Sequence, residues 1–338
     1  MSHTLQAAND VNIIYYVKLI SSVYQCAIAC PGSIALQTTE HTTAIDDATF
    51  HADVAYLEAL WQRVPVGTVD MPVIDSGTGE PLVFVPILEH LEFVYARQIR
   101  AFSQTRRVIL YRRHEIRSHF VGLAERAEEL GRVLDSLGLE RADMVGHGDA
   151  AMVLLEFAVR YPQRCRSLTI IAQGADYQIA PHPFIWCLHE LYLHLPVEHI
   201  LSASFLRRTV VNYITAHRQT DDETTPIPQL PRHLIEEQFR KIALWPCVYK
   251  FSVLPIIHSF DIRDRLNALT MPVLLINRAD DVLSPEAKTR WLADKLPDCR
   301  GYHIIAGKER FFMYAQAETV NNLMAGFLQT ISNPIETV

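Results

Sequence analysis

Residues 142–162 read ADMVGHGDAAMVLLEFAVRYP, and the pattern is a strand, a sharp turn and a helix in immediate succession. Ala142 to Val145 is a short, mostly apolar run suited to a buried strand. Gly146 and Ala150 put small residues on either side of the turn's centre, which a close crossing of strand and helix backbones requires. From Met152 onward Val153, Leu155, Phe157, Ala158 and Tyr161 recur at helical spacing. Together they have the form of a nucleophile elbow, the turn that lifts an attacking side chain above the end of a sheet. The centre of this turn is Gly148, which has no side chain to attack with.

The stretch resembles the elbow of the α/β-hydrolase family, G-x-S-x-G running into a helix, and the match holds without a gap from Val145 to Pro162. The wider resemblance covers about Val69 to Leu328. It implies an α/β fold: a mostly parallel, doubly wound sheet, a helical cap inserted over the site, and here a helical extension in front. Outward from the elbow the pattern agrees. Strands are expected at Val69 to Asp75, Pro81 to Pro86, Arg107 to Tyr111, Ser167 to Ala172, Val273 to Asn277 and Tyr302 to Ala306. Helices at Glu92 to Ser103, Phe120 to Leu137, Pro285 to Leu296 and Ala317 to Ile331 alternate with them, as a parallel sheet demands. Residues 67–338 form the hydrolase-like domain, with the cap at about 175–262, where helical runs at Phe184 to Leu195 and Leu234 to Leu244 break the alternation. Residues 1–66 form the extension. Val11 to Ile28 is amphipathic, and Asp53 to Arg63 reads as a second helix.

The resemblance assigns the remaining positions one by one. MPVLLINRADDVLSP places Asp281 where the family's acid stands. The histidine should follow the last strand, but Lys308 stands there, with Arg310 as the alternative if the register shifts; no histidine follows His303. The oxyanion loop lacks its usual His-Gly pair and reads Pro86-Ile87-Leu88-Glu89-His90. Serine attack and proton removal by histidine therefore both lack their groups. The groups left are Asp149, Asp281, Lys308 and His90 as catalytic candidates, with Glu89, Gly148 and His147 as pocket residues. Asp149 lies one position after the seat of the aspartate nucleophile in some family members, and an acidic residue in a first helical turn also has a purely structural explanation. Lys308 is expected to pair with Asp281. Glu89 and His90 could form a new acid–base pair, His114 is a further candidate, and His147 is expected to pack structurally.

Composition bounds the partners. The net charge is −7 and the pI about 6.1, against a nucleic-acid partner. Six scattered cysteines form no C-x-x-C pair and suit a reduced, cytoplasmic protein. The histidine spacing gives no metal-site pattern, and no cofactor is expected. Lys18 interrupts the amphipathic stretch, so a membrane span is not expected; its apolar face suits docking or a homodimer. Cap residues Phe184, Trp186, Trp245 and Phe251 suggest an apolar ligand. The expected function is non-hydrolytic chemistry, of lyase, decarboxylase, isomerase or cyclase type, on a small apolar carbonyl-containing molecule. The alternatives are an inactive ligand- or partner-binding protein, and an atypical hydrolase using Asp149.

Overall fold

The computed structural model describes residues 45–116, 118–177, 190–200, 202–215, 227–279, 281, 284–307 and 309–332. Its centre is an eight-stranded sheet: β1 (Gln62–Val66), β2 (Val69–Ser76), β3 (Pro81–Phe84), β4 (Arg107–Tyr111), β5 (Ala142–His147), β6 (Cys165–Ile171), β7 (Val273–Arg278) and β8 (Cys299–Ile305). The order is β1-β2-β4-β3-β5-β6-β7-β8. The β1–β2 and β2–β4 pairs are antiparallel, and every pair from β4 through β3 to β8 is parallel. Strand β5 is buried along its whole length between β3 and β6, which is why ADMVGH reads as a nearly continuous apolar run.

The helices are α1 (Asp47–Leu60), α2 (Ala96–Phe102), α3 (Leu123–Ser136), α4 (Asp149–Arg160), α5 (Ala203–Thr215), α6 (Arg232–Lys241), α7 (Trp245–Val248), α8 (Leu254–Ser259), α9 (Glu286–Lys295), α10 (Phe312–Ala315) and α11 (Ala317–Ser332). Helix α3 packs on α4, and α8 reaches both; α2 packs on α1 and α11. Between β6 and β7 the chain makes the helices α5 to α8, and an antiparallel bridge between Asp176 and Asp261 ties the two ends of that excursion together. Its Trp245 is 1% exposed and packs edge-on against Phe239 at 5.4 Å, while Phe251 stacks on Phe120. These two rings are therefore spent on packing; Phe184 and Trp186 lie outside the described residues.

Two expectations at the front of the chain change. The second helix starts earlier than its apolar spacing suggests, because Asp46 caps it by accepting the Thr49 N–H at 2.8 Å. Residues Gln62–Val66, read as the end of the second helix and the last of the extension, are instead the edge strand β1. Helix α1 is bound to the sheet domain: Phe50, fully buried, meets Phe93 at 5.2 Å and Tyr314 at 5.7 Å. Asp53, 5% exposed, receives Arg97 Nε and the Tyr314 hydroxyl, each at 2.9 Å. Val11 to Ile28 and the dimer expected from it lie outside the described residues. Among the described residues no single helix is long and apolar enough to cross a membrane.

Candidate functional site

The elbow forms at the end of β5. Gly148 has φ +60° and ψ −122°, a conformation that L side chains adopt only under strain. A Cβ on Gly146 would lie 2.7 Å from the Cα of Ala151, so that position admits only glycine. Tyr95 staples the turn: its hydroxyl donates to the Val85 carbonyl at 3.0 Å and accepts the His147 N–H at 3.2 Å. Burial holds Tyr95 well above the ordinary phenol range, so it stays neutral in both roles.

Asp281, 2% exposed, sits after β7 as the resemblance implies. Its partner is an arginine. Arg310 Nη1 lies 3.0 Å from each carboxylate oxygen. Arg278 Nε adds a bond at 3.0 Å and the Ser284 N–H another at 3.1 Å. Burial opposes the charge on Asp281, but the two guanidiniums outweigh it and hold the carboxyl below the usual range. The far edge of Arg310 reaches the elbow, with Nη2 3.5 Å from where a Cβ on Gly148 would stand. Arg310 thus bridges the acid and the nucleophile seat, as an imidazole bridges them in a triad. It cannot accept a proton, because a guanidinium stays charged at any pH a protein tolerates. Arg310, the alternative under a shifted register, meets Asp281 here; Lys308, the first candidate for this place and for the pairing with Asp281, lies outside the described residues.

Asp149 opens α4 and is held by Arg113 Nη1 at 3.2 Å. Arg113 is itself 3% exposed and bound to Glu115 at 2.5 Å. Glu115 also faces Arg126, which holds Glu129 at 3.0 Å and the Ser252 hydroxyl at 3.2 Å. Burial raises the Asp149 carboxyl above its ordinary value although Arg113 pulls it down. His147 packs edge-on against Phe312, 6.0 Å between ring centroids. Among the described residues neither ring nitrogen makes a well-formed hydrogen bond, and burial beside the Arg310 guanidinium pushes its pKa down to about 3, against a small opposing pull from the Arg310 backbone. The structural reading of His147 is the one that fits.

His90 goes elsewhere. It sits in a left-handed conformation, φ +68°, with its ring 3.7 Å from Glu89. It lines a cavity of about 180 Å³ with Glu58, Trp61, Arg112, Gln238 and Lys241, between α1 and α6. A wider groove of about 800 Å³ runs beside Asp53, Arg97 and Glu318. Gly148, Asp149, Asp281 and Arg310 line neither. His90 therefore lines a cavity to which Gly148, Asp149, Asp281 and Arg310 do not contribute. His114 contributes only its backbone carbonyl, accepting from Arg126 at 2.9 Å. No group of three or more His, Cys, Asp or Glu among the described residues could hold a metal.

No family model matches the chain. It is similar to proteins named as the carbamate hydrolase RutD: 24% identical over 272 residues to that of Caulobacter vibrioides, covering 78% of this chain and 92% of the relative. To that of Azorhizobium caulinodans it is 26% identical over 267 residues, covering 77% and 96%. Among solved structures it resembles a thermophilic esterase from Thermogutta terrifontis, TM-score 0.64 at 17% identity, covering 81% of this chain and 99% of that one. It also resembles an enol-lactonase from Burkholderia xenovorans, TM-score 0.62 at 16% identity, covering 79% and 100%. With the sheet order and the elbow already in place, these likenesses decide the class. The chain has the α/β-hydrolase fold.

In α/β-hydrolase terms, three strand ends deliver three positions to one place: Gly148 after β5, Asp281 after β7 and Arg310 after β8. Sequence reasoning reached the first two directly and held Arg310 as an alternative. It missed Arg278 and Arg113. Both are arginines at or just past the end of a buried strand, in INRADD and LYRRHE, and that placement is the signal that finds them. A guanidinium is rarely enclosed unless a carboxylate is waiting for it.

Proposed function

We propose that this α/β-hydrolase-fold chain does not hydrolyse through its triad positions and serves as a ligand-binding protein. The observation that carries the reading is the Asp281–Arg310–Gly148 alignment: the acid is occupied, the base is replaced by a permanent cation, and the seat of the nucleophile is empty. General-base chemistry needs a group that can take a proton near neutral pH. Arg310 cannot, Asp281 is held ionised by two arginines, and His147 is kept neutral without a contact to the seat's acid. The route through Asp149 fares no better, because its carboxylate is bound by Arg113. This favours the binding role over lyase, isomerase or cyclase chemistry at the elbow. The ligand in this reading is a small organic molecule beneath the cap. A cytoplasmic setting belongs to the same reading, supported by Cys165, Cys247 and Cys299, all free thiols.

The test is p-nitrophenyl acetate turnover by the full chain beside the double variant G148S/R310H. The wild type is expected to release nitrophenol at the buffer rate and the double variant above it. Turnover by the wild type that Asp149→Asn abolishes would refute the reading and make Asp149 the nucleophile.

A further inference from the structure

Among the described residues one cation faces Gly148. Among the described residues a Cβ on Gly148 would meet a single atom within 4 Å, the Nη2 of Arg310. That guanidinium spends Nη1 on Asp281, and its Nη2 has no hydrogen-bond partner among the described residues. The N–H of Asp149, at the start of the 12-residue α4, makes no hydrogen bond there either. A second guanidinium reaches the same helix start. Arg113 holds Asp149 through Nη1, while its Nη2 is buried without a partner on a side chain 2% exposed.

The geometry points to a carboxylate site in the vacated nucleophile seat, where the carboxylate of a small organic acid accepts from Arg310 Nη2 and the Asp149 N–H. The inference rests on the preceding reading and names the ligand class for it. The space is that of a missing serine side chain, so it takes only the flat terminal group of a ligand. A guanidinium edge suits a planar oxyanion, and backbone N–H groups at a helix start favour negative charge. The Asp149 carboxylate next to the seat is offset by Arg113, an arrangement that tolerates one added negative charge better than two. A monoanionic carboxylate therefore fits where a phosphate dianion does not.

Isothermal titration of the full chain with benzoate, against neutral benzamide at constant ionic strength, tests this. Benzoate is expected to bind and benzamide not to. Arg310→Gln should weaken benzoate at least about tenfold, the worth of a charge-assisted hydrogen bond. Asp281 keeps Arg278 in that variant, and unfolding curves check that it folds. Gly148→Ser leaves the ion pair intact, fills the seat and should weaken benzoate similarly. Equal binding of benzoate and benzamide overturns the inference, as does benzoate binding unchanged in both variants. So does absence of benzoate binding in a chain that also fails to hydrolyse the ester, whereas ester turnover by the wild type refutes the underlying reading instead.

Discussion

At the level of single residues, the site is governed by which charges are enclosed. Asp281 is shared by two guanidiniums whose side chains are 3% and 14% exposed. Asp281→Asn leaves both without their shared counter-charge and should cost on the order of 3 kcal/mol or more in urea unfolding. His147 gives a pH dependence of definite sign. Its folded pKa, about 3, lies below the ordinary 6.5, so the unfolded chain binds its proton first as pH falls. The stability His147 permits is whole above 6.5 and is lost downward from there toward 3, by up to about 1.4 kcal/mol per pH unit. Asp281, whose pKa is lowered, contributes its own loss only below the ordinary carboxylate value of 3.8. Between pH 4 and 6.5 a His147→Leu variant should therefore show a flatter stability profile than the wild type in denaturant titrations. Identical profiles would place the acid sensitivity elsewhere.

Elements explain why the seat has its shape. The close crossing of β5 and α4 requires glycine at position 146, so Gly146→Ala should destabilise by about 1–3 kcal/mol, as overpacking does. The same variant should leave the far end of the sheet intact by hydrogen exchange. Helix α1 packs onto the sheet domain, since Phe50 fills a space between Phe93 and Tyr314. Phe50→Ala should cost about 3–5 kcal/mol in urea unfolding, with a single transition for the domain. A separate low-stability transition would mean that α1 folds on its own account. The apolar spacing of α3 and α11 was readable because one face of each is buried against neighbours. The spacing of α1 was not, because its start is set by the Asp46 cap and its contacts are partly polar, through Asp53.

For the whole molecule, the site is an assembly of three strand ends held by the parallel sheet. Restoring one group should therefore do nothing alone. Gly148→Ser lacks a base and Arg310→His lacks a nucleophile, so each single variant should stay at the buffer rate in the ester assay. Only the double variant should rise above it, because groups that act as a unit contribute jointly. Activity in Arg310→His alone would show that some other nucleophile serves the site.

The alternation of strands and helices from β2 onward and the sharp turn at Gly148 were readable in the sequence itself, while the place of Asp281 came from the family resemblance. The alternation and the turn depend on local pattern: apolar runs, period-3.6 faces, small residues where backbones cross. The loss of the serine was equally plain, since a missing side chain needs no geometry to recognise. What only the tertiary structure decided was which cation answers Asp281, that His90 looks into a different cavity, and that Gln62–Val66 closes the sheet as an edge strand. These are contacts between segments far apart in the chain. Arg310 meets Asp281 across 29 positions, and its loop departs from the family pattern, so counting residues left the register between Lys308 and Arg310 open. Long, flexible side chains reach their partners by the course of the backbone and by the cost of enclosing an unpaired charge, and neither is written in a local pattern.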